Sequence, residues 1–257
     1  MTFIIAEASV NHNGKWEQGL DLIDAAKEAG ANAVKFQLFN SQKLWGDDRI
    51  EHLEFSQDDM FAMKAHCDEV DIEFMATPFS VEAVEFLTPL VKRHKIASGC
   101  RKPEILEAVA KSGLPVIMST GMCDFEEIYN IWLDHFDEDT VLMQCTSSYP
   151  CALEDVNLRS ISFFKEKYGN DCNVGFSDHT QGIIASIAAV AMGATVIEKH
   201  LTMDKTAKGP DHASSIEPVE FQTMVEAIRE VELMLGDGVK RVLPCEEKLR
   251  ELWYDKQ

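Results

Sequence analysis

A single (β/α)8 barrel is the architecture this sequence predicts, and three observations carry the prediction. Short apolar or β-branched runs recur eight times along the chain, each followed by a helical pattern. Several of those helical patterns close at glycine, as helix ends do. The length of 257 residues suits one barrel, and neither GxGxxG nor GxxxxGK[ST], the glycine-rich turns of open nucleotide-binding sheets, occurs.

The predicted strands are FIIAE from Phe3, AVKFQ from Ala33, EFMAT from Glu73, HKIAS from His94, PVIMST from Pro115, VLMQCT from Val141, NVGFS from Asn173 and TVIEKH from Thr195. Trp16, Leu20 and Ile23 share one face of a first helix that stops at Gly30. Ile105 and Val109 mark another that stops at Gly113, and Asp124 with Glu127 three residues on predicts a capping box. Phe221, Met224, Ile228, Val231 and Leu235 predict a long last helix ending at Gly236. The barrel therefore occupies residues 1–236, and residues 237–257 form a tail in which Leu249, Leu252 and Trp253 predict a short helix docking on the barrel or on a second subunit. Met143, Met192 and Met224 read as core filler.

Composition narrows the functional classes. A formal charge of -20 argues against nucleic acid and anionic membrane surfaces, which select basic patches. No apolar run approaches the length of a membrane span, and the amino terminus lacks a signal-peptide pattern, so a cytoplasmic location is expected. Seven cysteines, Cys67, Cys100, Cys123, Cys145, Cys151, Cys172 and Cys245, show no CxxC spacing and read as reduced thiols.

A barrel places its chemistry at the carboxyl ends of its strands. Polar residues fall there: Glu7; Lys35 and Gln37; Thr77; Lys95 and Ser98; Ser119 and Thr120; Gln144 and Ser147; Ser177 to His179; Glu198 to His200. Buried, paired charges inside a barrel core are the structural alternative for any one of them. His179 and His200 end neighbouring strands, a pairing suited to a divalent metal with open positions, although lone histidines are more often hydrogen-bonded core groups. Asp178 and Asp211 are candidates for supporting or additional ligands. Lys35 and Lys95 supply fixed positive charge for a phosphate and a carboxylate, with Thr77, Ser98 and Ser177 as hydroxyl donors.

IIAEASVNHNG, AVKFQ, ATPFS, KIASG, STGM, CTSSYP, EDVNL, GFSDHT, VIEKHLT and GPDHASS occur in this order, and together they resemble the sialic acid synthase family over residues 3–236. The resemblance implies a (β/α)8 barrel that condenses phosphoenolpyruvate with a sugar such as N-acetylmannosamine or a related N-acyl amino sugar, giving a nonulosonic acid and phosphate. It further implies a divalent metal, Mn2+ or Mg2+, held by His179 and His200. Phosphoenolpyruvate would lie against Lys35, Thr77, Lys95, Ser98, Ser147 and Ser177, with Gln37, Tyr149 and Asp211 around the metal and the sugar, and Glu7 at the floor as an electrostatic or proton-transfer group. A homodimer is implied as well.

The resemblance covers the barrel only, without the carboxy-terminal antifreeze-like domain that members usually carry and that contributes an arginine to the sugar. Cys100 stands where the family usually has glutamate, and the segment after the second strand is shorter than usual. That thiol is either a buried filler or a softer metal ligand. Two other readings of the same residues are a Schiff-base aldolase using Lys95 or Lys35, and a non-catalytic relative that binds a sugar or phosphate.

Overall fold

The computed structural model describes residues 1–136, 139–168 and 173–254; Cys172 and the last three tail residues lie outside them. The elements alternate as predicted: β1 (Phe3–Ser9), α1 (Trp16–Glu28), β2 (Ala33–Leu38), α2 (Ser41–Trp45), α3 (Gln57–Glu69), β3 (Glu73–Pro78), α4 (Val81–Leu87), β4 (His94–Ile96), α5 (Pro103–Ser112), β5 (Val116–Ser119), α6 (Phe125–His135), β6 (Val141–Cys145), α7 (Arg159–Tyr168), β7 (Val174–Asp178), α8 (Ile184–Ala191), β8 (Val196–His200), α9 (Pro218–Leu235) and α10 (Glu247–Tyr254). The eight strands form one sheet in the order β3-β2-β1-β8-β7-β6-β5-β4. All of its ladders are parallel, and β4 packs beside β3 to complete the ring.

Helix ends follow the local chemistry. Gly113 takes the left-handed conformation, φ 69°, that stops α5, and Asp124 and Glu127 form the capping box of α6. The apolar residues of β1, Ile4, Ala6 and Ala8, face outward and join Leu22 and Ile23 of α1 in the large core between sheet and helices.

The barrel interior is layered, and this layering positions the site. Ile5, Ala33, Met75, Ile117, Met143 and Val196 form a separate apolar plug inside the ring. Because side chains alternate across a strand, the residue two places further on occupies the next layer up. Ile5 is thus succeeded by Glu7, Ala33 by Lys35, Met75 by Thr77, Ile117 by Ser119, and Val196 by Glu198. In these five strands the apolar plug gives way within one repeat to a polar and ionic floor.

The predicted tail helix forms as α10, and its Leu249, Leu252 and Trp253 are exposed in the single chain. Met143 and Met224 are core residues, whereas Met192 is only partly buried at the edge of the core. No helix among the described residues is long and apolar enough to cross a membrane.

Candidate active site

A cavity of about 280 Å³ opens at the carboxyl ends of the strands. Its floor is an ion network. Lys35 Nζ lies 2.7 Å from Glu7 Oε2 and 3.5 Å from Glu198 Oε2, and Lys95 Nζ lies 3.5 Å from Glu198 Oε1. Lys35 donates to Thr77 Oγ1 at 2.9 Å, Lys95 to Ser119 Oγ at 2.7 Å, and Ser177 Oγ to Glu198 Oε1 at 2.9 Å.

Burial alone would push Glu198 upward, but Lys35 and Lys95 on either side hold its carboxyl at about 2, so it stays ionised. Glu7 has the opposite fate. Burial, against the pull of Lys35 and with the help of the Glu198 charge, raises it to about 7. Two carboxylates in one layer are thereby separated into a permanent anion and a group poised to exchange a proton near neutrality. Burial also lowers Lys95, with Glu198 opposing and Lys35 adding to the effect, while Glu198 and Glu7 overcome burial to raise Lys35.

The mouth carries the polar groups of the loops. Ser9, with φ 48° at a register shift between β1 and β2, turns its hydroxyl inward, donates to Asp211 Oδ2 and accepts from Gln37 Nε2 at 2.7 Å. The imidazoles of His179 and His200 have ring centroids 5.5 Å apart, and the Tyr149 ring lies 4.0 Å from His179 and 5.8 Å from His200. His179 Nδ1 lies 2.7 Å from the Thr146 carbonyl, which only accepts; Nδ1 therefore carries a proton, and in the neutral imidazole Nε2 keeps its lone pair. His200 Nδ1 is buried without a hydrogen-bond partner among the described residues and lies 3.9 Å from Asp211 Oδ2.

Ser98 and Ser147 meet beneath the turn after β5. Gly121 N donates to Ser98 Oγ at 3.0 Å, and a Cβ on Gly121 would run into the hydroxyls of both Ser147 and Ser98. Ser147 Oγ is buried without a hydrogen-bond partner among the described residues. The glycine leaves these hydroxyls room to converge.

The structure thus brings together Glu7, Lys35, Gln37, Thr77, Lys95, Ser98, Ser147, Tyr149, Ser177, His179, His200 and Asp211 at one end of the barrel, with Thr77 acting behind Lys35. Two expectations change. Asp178 points out of the barrel, because it follows inward Ser177 by one residue; it is fully buried, 3.2 Å from Lys199 Nζ, and accepts from Thr180 N and Ser186 Oγ. Cys100 donates its thiol to the Pro78 carbonyl at 3.2 Å and is not among the residues that line the cavity, the arrangement of a buried filler; burial pushes the thiol up to about 12. Glu198 stands out in the sequence only as part of a polar strand end, although its place two residues before His200 assigns it to the same inward face.

A NeuB family model matches residues 22–240. The chain belongs to the NeuB family. Among its relatives, the N,N'-diacetyllegionaminic acid synthase of Legionella pneumophila is 39% identical over 279 residues, covering 97% of this chain and 78% of that protein. The N-acetylneuraminate-9-phosphate synthase of Homo sapiens is 39% identical over 272 residues, covering 97% and 75%. The crystal structure of N-acetylneuraminic acid synthetase from Leptospira borgpetersenii in complex with citrate superposes with a TM-score of 0.91 at 36% identity, covering 100% of this chain and 93% of that one. The relatives that share this barrel are named as synthases of sugar acids.

Proposed function

We propose that this protein condenses phosphoenolpyruvate with the aldehyde form of a sugar, giving a nonulosonic acid and inorganic phosphate. The observation that carries this reading is the floor itself: two lysines held on one carboxylate, with Glu7 beside them and two serine hydroxyls converging under Gly121. Such a floor suits a small, highly charged acid. Lys35 and Lys95 would bind its phosphate and carboxylate, and Ser98, Ser147 and Ser177 would donate to its oxygens. A lysine at about 4 Å from such an oxygen contributes about 4 kcal/mol of attraction at an effective dielectric of 20.

The donor set at the mouth fits a divalent ion, Mn2+ or Mg2+. His179 presents an open Nε2 lone pair, His200 has an unpartnered nitrogen, and Asp211 faces it. Among the described residues no group of three His, Cys, Asp or Glu side chains is arranged to hold a metal; the two imidazoles would be the direct donors, with Asp211 beside them and oxygen atoms of substrate and water in the other positions. When bound, the ion would polarise the aldehyde as a Lewis acid. The chain's own residues do the rest. Gln37 and Asp211 orient the sugar, and the lysines hold the enol so that its C3 forms the new bond to the aldehyde carbon. The aldehyde oxygen takes up a proton, leaving cationic charge at C2; water then adds at C2 and gives one proton to Glu7, and the C2–O bond to phosphate breaks as the remaining hydroxyl proton passes to the departing phosphate, leaving the C2 ketone.

Calorimetric titration of phosphoenolpyruvate into the protein tests the floor. Saturable binding lost in a Lys35→Met, Lys95→Met double variant is the expected result, and unchanged binding in that variant would sink the reading. His179→Ala and His200→Ala are expected to lose stoichiometric Mn2+. Burial lowers Lys95 and so favours a second chemistry, a Schiff base with a carbonyl substrate. Borohydride trapping of Lys95 that survives a chelator would select it.

A further inference from the structure

Among the described residues, Ser9 is the one fully buried side chain on a backbone of positive φ; Asn13, Asp71, Met122 and Asn157, the other non-glycine residues there, are partly or largely exposed. It sits where β1 leaves its regular pairing: Glu7 lies opposite Lys35, whereas Ser9 lies opposite Phe36 and not Gln37. A residue with a Cβ is thus held in a conformation it disfavours, and such positions persist where the surrounding structure makes use of them. Ser9 does not line the cavity, but both partners of its hydroxyl do. Its proton goes to Asp211 Oδ2, and its oxygen accepts from Gln37 Nε2, which also lies 3.4 Å from Glu7 Oε1. Ser9 is the one hydrogen-bond donor to the Asp211 carboxylate among the described residues. The backbone carbonyl of Asp211 is held separately, by the hydroxyls of Ser214 at 2.9 Å and Ser215 at 2.7 Å.

The direction of these bonds is forced. A carboxylate only accepts, so the Ser9 hydroxyl donates to Asp211 and has only a lone pair left for Gln37. The Gln37 amide must then turn its NH2 end to Ser9 and Glu7, which leaves its carbonyl oxygen as the acceptor for a ligand. One hydroxyl thereby orients two cavity-lining side chains that belong to different elements, β2 and the loop after β8. We infer that Ser9 is a positioning residue: it sets which edges of Gln37 and Asp211 the acceptor sugar meets, and its left-handed backbone is retained because it brings the hydroxyl between them. The inference rests on the condensing reading, in which Gln37 and Asp211 orient the sugar, and adds a residue that reading does not use.

Ser9→Gly and Ser9→Ala in the full chain separate the hydroxyl from the backbone. Both remove the hydroxyl, but only Ser9→Ala keeps a Cβ in the left-handed conformation, so Ser9→Gly is expected to have the higher thermal midpoint of the two. Turnover is expected to follow the hydroxyl instead. With Mn2+, saturating phosphoenolpyruvate and N-acetylmannosamine, both variants lose about 10- to 100-fold in kcat/KM for the sugar, the effect of misplacing an orienting group by about 1 Å. Their calorimetric affinity for phosphoenolpyruvate is unchanged, a split that general loosening of the barrel would not give. A Ser9→Gly protein with the kcat/KM of the unaltered one, or a loss shared equally by phosphoenolpyruvate binding, overturns the inference. Should Ser9→Ala fail to fold, Ser9→Gly decides alone. If the unaltered protein binds phosphoenolpyruvate but does not turn over N-acetylmannosamine, calorimetric binding of that sugar to the loaded protein takes the place of kcat/KM, with the same loss expected in the variants. No binding of it by the unaltered protein overturns the inference and leaves the phosphoenolpyruvate half of the reading standing. If phosphoenolpyruvate itself does not bind, the condensing reading falls, and Ser9 has no sugar to position.

Discussion

Glu198 stands between Lys35 and Lys95, one carboxylate oxygen 3.5 Å from each ammonium group. Removing one partner of a buried ion pair strands the charge that remains, at a cost of about 3–5 kcal/mol. Glu198→Gln is therefore expected to lower the thermal midpoint of the free protein. Phosphoenolpyruvate brings back negative charge, so its stabilising shift is expected to be larger in Glu198→Gln than in the unaltered protein. Equal shifts in thermal denaturation would show that the lysines do not face the ligand.

Gly121 is expected to act on substrate binding more than on turnover. A methyl group there displaces Ser98 and Ser147, the two hydroxyls assigned to phosphoenolpyruvate. Gly121→Ala is expected to raise its KM by about 10- to 100-fold, the effect of misplacing a binding group by about 1 Å. Steady-state kinetics decides this, and an unchanged KM would remove both serines from the site.

Cys100 is expected to be inert. With its thiol pushed up to about 12 and donated to a carbonyl, the native protein should resist iodoacetamide at this position at pH 8. Cys100→Ser keeps the donor and should leave Mn2+ affinity and turnover within about twofold. Cys100→Glu buries a carboxylate beside a carbonyl oxygen and is expected to lower stability by about 3 kcal/mol. A changed metal preference in Cys100→Ser would place the sulfur in the site after all.

Stability should fall on acidification from pH 6.5 to about 4.5. Burial pushes His12 and His94 down to about 4, with Asp59 partly offsetting the effect at His12; burial does the same to His200, where Asp211 opposes it. The unfolded chain takes up these protons near 6.5, so the stability the histidines contribute is full above 6.5 and is lost as the pH falls toward 4. Glu7, raised to about 7, has the opposite sign: its contribution is full below 4.5 and lost as the pH rises through 7. Three groups against one leave two protons net, about 2.7 kcal/mol per pH unit from these groups in metal-free protein. Urea midpoints across that range measure the slope, and His94→Leu should flatten it by about one proton. A flat profile in the unaltered protein would contradict the burial of these imidazoles.

Much of the site was legible before any coordinates. Lys35, Lys95, His179 and His200 stand at strand ends that local alternation of apolar and polar residues already marks, and a barrel sends strand ends to one mouth. Asp178 shows the limit of that reading. In GFSDHT, Ser177, Asp178 and His179 stand in succession, yet strand alternation sends Asp178 to Lys199 behind the sheet, while His179, just past the strand end, returns to the mouth. Arg49 and Trp45, which also line the cavity, left no periodic trace, because they sit in the irregular segment after β2, whose path is set by an apolar cluster beneath it.

The sequence by itself determined the eight strand-helix units, the capping and glycine stops of the helices, and the set of polar strand ends, since each depends on neighbours a few residues away. Only the tertiary structure decided that Glu198 joins Lys35 to Lys95, that Ser98 and Ser147 converge on Gly121, and that Cys100 turns from the cavity to Pro78. Those relationships link residues far apart in the chain, and they exist because closing the parallel sheet forces side chains of one layer, from different strands, into one low-dielectric space where each charge must find its partner.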